Sequence, residues 1–206
     1  MIDSVIILHL HELSLKGKNR SWFERHLVSN IKNHLSKLTY KNIKIISGRI
    51  FITSIDFRLW DEYKTVLKCV IGIRNFILTR RVNLDIGDMQ TAALEAVLAM
   101  NKKGTFRVSS RRQNKNFEYN KQKMNNTIGS YIQENTGFEV SLGQPDINVF
   151  IEVVNNDAFI GVDRVSAFGG LPVGTGESAL SLISSGIDSP VASFTIIKRG
   201  EKLDYI

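Results

Sequence analysis

The chain has 206 residues, enough for one or two small domains, and its 43% hydrophobic content is ordinary for a globular protein. No apolar run reaches the roughly 20 residues that cross a bilayer. The start Met1-Ile2-Asp3-Ser4-Val5 lacks the parts of a secretory signal, and the single cysteine, Cys69, excludes an internal disulfide, so a cytoplasmic location is expected. The formal net charge of +7 points to a polyanionic partner if the basic residues cluster.

Val5 to Leu10 reads as a buried strand. A basic loop follows, Lys16-Gly17-Lys18-Asn19-Arg20. Ser21 then suits a helix N-cap, with Glu24 completing a capping box. Phe23, Leu27, Ile31, Leu35 and Leu38 share one helical face. Lys44 to Ile55 alternates loosely as one or two strands around Ser47-Gly48. The resulting β-α-β-β order predicts a small ferredoxin-like α+β unit over residues 1–56.

A second unit is expected over 57–166. Its first helix runs from Asp61 to Val70, with Cys69 in a packed helix end. Phe76 to Val82 is a strand. Asp88 caps an Ala-rich helix through Met100. Thr105 to Ser109 is a strand, and Met124, Ile128, Tyr131 and Ile132 form a helical face closed by Gly137. Ile147–Val154 and Ala158–Val165 make a hairpin around Asn155-Asn156-Asp157. Residues 167–178, rich in glycine, predict a linker. Residues 179–206 then read as strand, small-residue loop, helix and the opening of another strand.

Three places carry chemistry. Lys16, Lys18, Arg20 and Arg25 form one basic cluster. Arg107, Arg111, Arg112, Lys115, Lys121 and Lys123 form a second, offset only by Glu118. Cations spaced along a surface suit phosphates, Asn, Gln and Ser add bonds to sugar and phosphate, and Phe117 and Tyr119 suit base stacking. Nothing suggests a helix for the DNA major groove, so RNA is the expected partner. The third place is Ser184-Ser185-Gly186-Ile187-Asp188-Ser189-Pro190. Small residues let backbone approach pyrophosphate, and the helix start offers free N–H groups. His9 and His11 share a strand face, but no third ligand is near in sequence, so no metal site is expected.

Four stretches together resemble the tRNA 4-thiouridine synthetases, or tRNA sulfurtransferases. Glu12-Leu13-Ser14-Leu15-Lys16-Gly17-Lys18-Asn19-Arg20 is similar to that family's N-terminal signature. Phe106 to Phe117 and Pro145-Asp146 resemble THUMP-domain signatures. Gly170 to Thr175 followed by Ser184 to Ala192 resembles the linker and PP-loop. The resemblance implies an α+β ferredoxin-like unit and THUMP domain, then the first strand-loop-helix of an α/β PP-loop domain of the adenine nucleotide alpha hydrolase type. It implies a grip on the acceptor end of tRNA by Lys16, Lys18, Arg20, Arg107, Arg111, Arg112, Lys115 and Lys121. It also implies ATP-dependent adenylation of uridine 8, persulfide sulfur transfer from a donor such as a cysteine desulfurase, a link to thiamine thiazole synthesis, and a homodimer. By position, Leu182 and Ile183 would lie at the adenine side of ATP. Ser184, Gly186, Asp188 and Ser189 would surround the phosphates, with Asp188 needed for adenylation and Mg²⁺ alongside.

The chain departs from that pattern at three points. Ser185 stands where the family loop has glycine, which would cost on the order of 1 kcal/mol if its φ were positive. His11 stands where glycine is usual. The chain stops at Ile206, before the family's catalytic cysteine, so tRNA binding without thiolation is expected of these 206 residues. A stand-alone THUMP module for another RNA modification and a remnant of a broken gene are the competing readings.

Overall fold

The structure, a computed structural model, describes residues 3–11 and 19–206. In chain order the elements are β1 (Ser4–Leu10), α1 (Arg20–His34), β2 (Asn42–Ile46), β3 (Arg49–Thr53), α2 (Trp60–Lys68), β4 (Ile73–Asn83) and α3 (Ile86–Ala99). Then come β5 (Phe106–Arg112), α4 (Lys121–Thr136), β6 (Ile147–Val154), β7 (Asp157–Val162), β8 (Val165–Ser166), β9 (Ser178–Ser181), α5 (Asp188–Ile197) and β10 (Lys202–Tyr205). The chain forms two bodies, one from residues 6–76 and 165–206, the other from residues 1–5 and 77–164.

In the first body the strands run in the order β2-β3-β1-β4. Ser47 and Gly48, with φ of 48° and 77°, make the two-residue turn between β2 and β3, a conformation that favours glycine in its second place. Helix α1 buries Leu27, Ile31 and Leu35, and α2 buries Tyr63 and Leu67. Each such side chain contributes about 1.5–3 kcal/mol of transfer free energy. The boundary expected at Phe57 therefore meets no break in packing. Helix α2 lies against α1 and β8, and Trp60 sits edge-to-face on Phe76 at 5.9 Å.

Several local expectations change here. Helix α1 starts at Arg20 with Asn19 as its cap, and Glu24 takes the Arg20 guanidinium at 2.7 Å instead of closing a capping box on Ser21. Cys69, expected in a packed helix end, is exposed, because the chain turns at that point and Val70 and Ile71 take the core positions. The glycine-rich stretch is not a loose linker. Gly72 N–H donates to Gly169 at 2.7 Å, Leu171 N–H to Lys198 at 3.0 Å, and the N–H groups of Gly174, Thr175 and Gly176 all converge on the Gly200 carbonyl. Gly170 is required there, since a Cβ would fall 2.5 Å from the Lys198 carbonyl oxygen. The strand expected at the start of residues 179–206 lies at Ser178–Ser181, in parallel register with β10.

In the second body the order is β4-β7-β6-β5, with β5 parallel to β6 and the other pairs antiparallel. Strand alternation sends Phe106, Val108, Ile147, Val149, Ile151, Val153, Ala158 and Ile160 to one face. There they pack on Met89, Ala93 and Val97 of α3 and on Met124, Ile128 and Ile132 of α4. The cap of α3 is Asp85, not Asp88: Asp88 N–H donates to Asp85 Oδ1 at 3.0 Å. Gly137 ends α4 at φ 71°, as the sequence predicts. The strand expected to run through Val165 is broken at Asp163, whose φ is 53°.

Asp146 fastens the start of β5. Its Oδ2 accepts from Thr105 N–H and from Thr105 Oγ1, both at 2.9 Å. The Thr105 backbone N–H, then its hydroxyl, hold the Asp146 carboxyl below its ordinary value of 3.8. A depressed folded-state pKa means that this contribution is complete above pH 3.8 and is lost as pH falls below it. Asp146→Asn is therefore expected to lower the melting temperature at pH 7 and to flatten its fall as pH drops below 3.8, read from melts at neutral and acid pH.

Candidate nucleic-acid interface and nucleotide loop

Beside α4 and β5 lies a groove of about 940 Å³. Of its apolar lining, Phe106 and Val108 belong to the buried core, whereas Val140 and Leu142 are exposed. Its rim carries Arg112, Asn120, Lys121, Gln122, Asn125, Asn126, Ser130 and Gln133, and none of the lining residues is acidic. Loop 139–142 closes the outer edge of β5, with Phe106 N–H on Glu139 and Ser141 N–H on Phe106, both at 2.9 Å. Three of the amides, Gln122, Asn125 and Asn126, share one face of the first turns of α4. Sequence reasoning passed over them as ordinary polar helix positions; their density just after the basic stretch was the available signal.

The expected cations are only partly gathered there. Residues 106–112 form a strand, so Arg111 and Arg112 point to opposite faces. Arg112 faces α4, and its guanidinium is engaged at 2.8 Å with the Phe117 carbonyl, which shapes the loop. Arg107 likewise holds the Leu142 carbonyl at 2.8 Å. Arg111, Lys115 and Lys121 are exposed, and their charged groups have no hydrogen bond or ion pair among the described residues. Lys123 lies over the Tyr119 ring at 4.2 Å, and Tyr119 is 5.5 Å from Phe117. The loop between them is set by Asn114, whose Oδ1 accepts from Asn116 N–H at 2.9 Å and whose Nδ2 donates to Asn155 at 2.8 Å. In the other body, Arg20 is tied to Glu24. Lys16 and Lys18 lie outside the described residues.

The nucleotide loop precedes α5. Ser184 N–H donates to Ser189 Oγ at 3.0 Å, and Gly186 N–H reaches Ser184 Oγ at 3.3 Å. The N-cap of α5, Ile187, gives no side-chain bond to the first turn. Those helix N–H groups remain available to an oxygen ligand. Ser185 does not have the left-handed φ considered for it, so it carries no backbone strain. At Gly186 an added Cβ would meet nothing closer than 3.5 Å, so the loop leaves room for phosphate. Asp188 opens the helix and is exposed, as are Leu182 and Ile183. These residues fit a pyrophosphate cradle, with Asp188 beside it.

A THUMP-domain family model matches residues 84–163, and a ThiI ferredoxin-like domain model matches 5–76. A model described as thiamine biosynthesis protein (ThiI) matches 174–206. The chain is 37% identical over 208 residues to a probable tRNA sulfurtransferase of Levilactobacillus brevis, covering 98% of this chain and 50% of that protein. It is similar to the crystal structure of a 4-thiouridine synthetase–RNA complex with bound ATP, at 34% identity and a TM-score of 0.83, covering 100% of this chain and 52% of that one. A Pyrococcus horikoshii protein of known structure matches at 28% identity and a TM-score of 0.85, over 98% of this chain and 68% of that one. The chain spans about half the length of the curated relatives it matches. A ThiI-type ferredoxin-like domain, a THUMP domain and a ThiI region therefore follow one another along the chain. Over its length the chain is similar to the ThiI-type tRNA sulfurtransferases.

Proposed function

We propose that this chain is the tRNA-gripping portion of a tRNA sulfurtransferase. The observation that carries the reading is the amide- and cation-rimmed groove, free of carboxylates, on the THUMP domain. Such a lining suits phosphate and ribose, and the exposed Val140 and Leu142 beside it suit an unpaired base. Lys115, Lys121 and Lys123 supply phosphate contacts, with Arg111 on the opposite face of the sheet. Arg107 and Arg112 act first by shaping the surrounding loops. The ThiI family match and the ATP in the related RNA complex support ATP use at Ser184, Gly186, Asp188 and Ser189. Leu182 and Ile183 flank the adenine, and Mg²⁺ joins the phosphates. The complete reaction is adenylation of uridine 8 of tRNA, then sulfur transfer from a persulfide donor such as a cysteine desulfurase, giving 4-thiouridine. The same sulfur chemistry serves thiamine thiazole synthesis. A homodimer and a cytoplasmic location belong to this reading.

The 206 residues hold one cysteine, Cys69, on the exposed end of α2 and remote in sequence from the nucleotide loop. As this polypeptide, the protein is expected to bind tRNA and to form no 4-thiouridine with ATP, Mg²⁺ and a sulfur donor. The test is a titration with full-length tRNA and with an unstructured RNA of equal length, at two salt concentrations. A preference for tRNA that weakens with salt is expected. Equal weak binding to both would sink the reading and leave a merely basic surface.

A further inference from the structure

Helix α1 presents its outer side as one stripe. Trp22, Arg25, His26, Ser29, Lys32 and Asn33 follow the spacing i, i+3, i+4, i+7, i+10, i+11, while Leu27, Ile31 and Leu35 take the buried side. Trp22 is 41% exposed. Its ring is backed by His26 at 4.3 Å and meets Phe23 edge-on at 4.9 Å. These contacts hold the indole in place while leaving much of it open to solvent. Between Ser14 and Ile55 the only carboxylate is Glu24. It is buried, 8% exposed, and bonded to Arg20. The stripe therefore carries N–H and O–H donors, cations and one aromatic, with no acid to repel a phosphate. Trp22 to Lys32 spans about 15 Å along the helix axis.

We propose that this side of α1 is an RNA contact in its own right, with Trp22 stacking on an unpaired base while Arg25 and Lys32 hold flanking phosphates. The inference rests on the tRNA-binding reading above and deepens it by naming a stacking residue outside the THUMP domain. Exposed tryptophan is also common at protein interfaces, but there it sits within an apolar patch. Here its neighbours along the stripe are Arg, His, Ser, Lys and Asn, a set matched to sugar and phosphate.

The chain has two tryptophans, and Trp60 packs on Phe76 in α2. Trp60→Phe therefore leaves Trp22 as the sole indole reporter. The full 206-residue chain with that change is titrated with unmodified tRNA, with a tRNA whose unpaired 3′ nucleotides are removed, and with a blunt RNA hairpin. Quenching of Trp22 by RNA that has unpaired bases, and little by the blunt hairpin, is expected. Trp22→Ala should weaken tRNA binding on the order of tenfold, and Trp22→Phe should restore most of it. Arg25→Gln and Lys32→Gln should each reduce the salt slope by about 1. Tight tRNA binding with unmoved Trp22 emission and an unchanged Trp22→Ala affinity overturns the inference and leaves the tRNA reading intact. Absence of tRNA binding by the parent chain overturns both. A concentration-dependent dimer that buries Trp22, with no response to RNA, assigns the stripe to a protein partner and overturns it too.

Discussion

A Gly161→Val chain is expected to lose cooperative folding of the body built from residues 1–5 and 77–164. Gly161 lies in β7 opposite Phe150 of β6, where the ladder to β4 has ended at the Arg80–Ile160 pair. Strand β4 passes over it there. A Cβ at position 161 would overlap the Leu78 carbonyl oxygen and lie 3.1 Å from both Cγ1 and Cδ1 of Ile77. The obstacle is backbone, so no rotamer change relieves it. β7 is held between β4 and β6, so it shifts only by giving up ladder bonds. Overpacking alone costs roughly 1–3 kcal/mol, and backbone displacement adds to that, against a total stability on the order of 5–15 kcal/mol. Gly161→Ala carries the same clash and should lower the melting temperature by about 10 °C or more. Gly143→Ala, where an added Cβ meets nothing within 4 Å, is the neutral control. A Gly161→Ala melt within about 2 °C of the parent would show that β4 yields easily and would defeat the argument.

Much of this architecture was legible in the residues. The apolar faces Leu27-Ile31-Leu35 and Met124-Ile128-Ile132, the turns Ser47-Gly48 and Asn155-Asn156, and the Gly137 stop are local signals, and local signals survive folding. The misreadings share a different cause. Asp85 and Asp88 are both good caps by composition, and only the geometry of the first turn selects Asp85. Glu24 fits a capping box by spacing, but a guanidinium four residues away competes for it. Cys69 sits in an apolar run whose core positions go to Val70 and Ile71. The glycines at 169–176 look like a linker because composition does not reveal that Gly169 N–H donates to Ile73 and that the N–H groups of Gly174 and Gly176 converge on Gly200. The basic stretch 107–123 was found by charge, whereas the division of Arg111 from Arg112 depends on a strand period that the charge count ignores. The groove itself needed α4, β5 and loop 139–142 brought together, which no single window of sequence displays.

That division makes the interface testable face by face. Replacing Arg111, Lys115, Lys121 and Lys123 together by glutamine is expected to weaken tRNA binding by about two orders of magnitude near physiological salt. It should also make the log–log salt dependence shallower by roughly one unit for each cation that touches phosphate. The fold should tolerate the change, because all four side chains are exposed. Lys121 and Lys123 stand in the first turn of α4, where the helix dipole disfavours a cation, so removing them does not weaken the helix. The contact of Lys123 with Tyr119 is worth only about 0.5–1 kcal/mol at an exposed site. Melting near the parental temperature therefore separates lost binding from lost folding. The single variants then locate the RNA. If it lies in the groove beside α4, Lys121→Gln carries an effect that Arg111→Gln lacks, since Arg111 projects from the opposite face of β5. Equal effects from the two would mean that RNA wraps the edge of β5. A quadruple variant that binds tRNA as tightly as the parent, with an unchanged salt slope, would remove this surface from the tRNA-binding reading altogether.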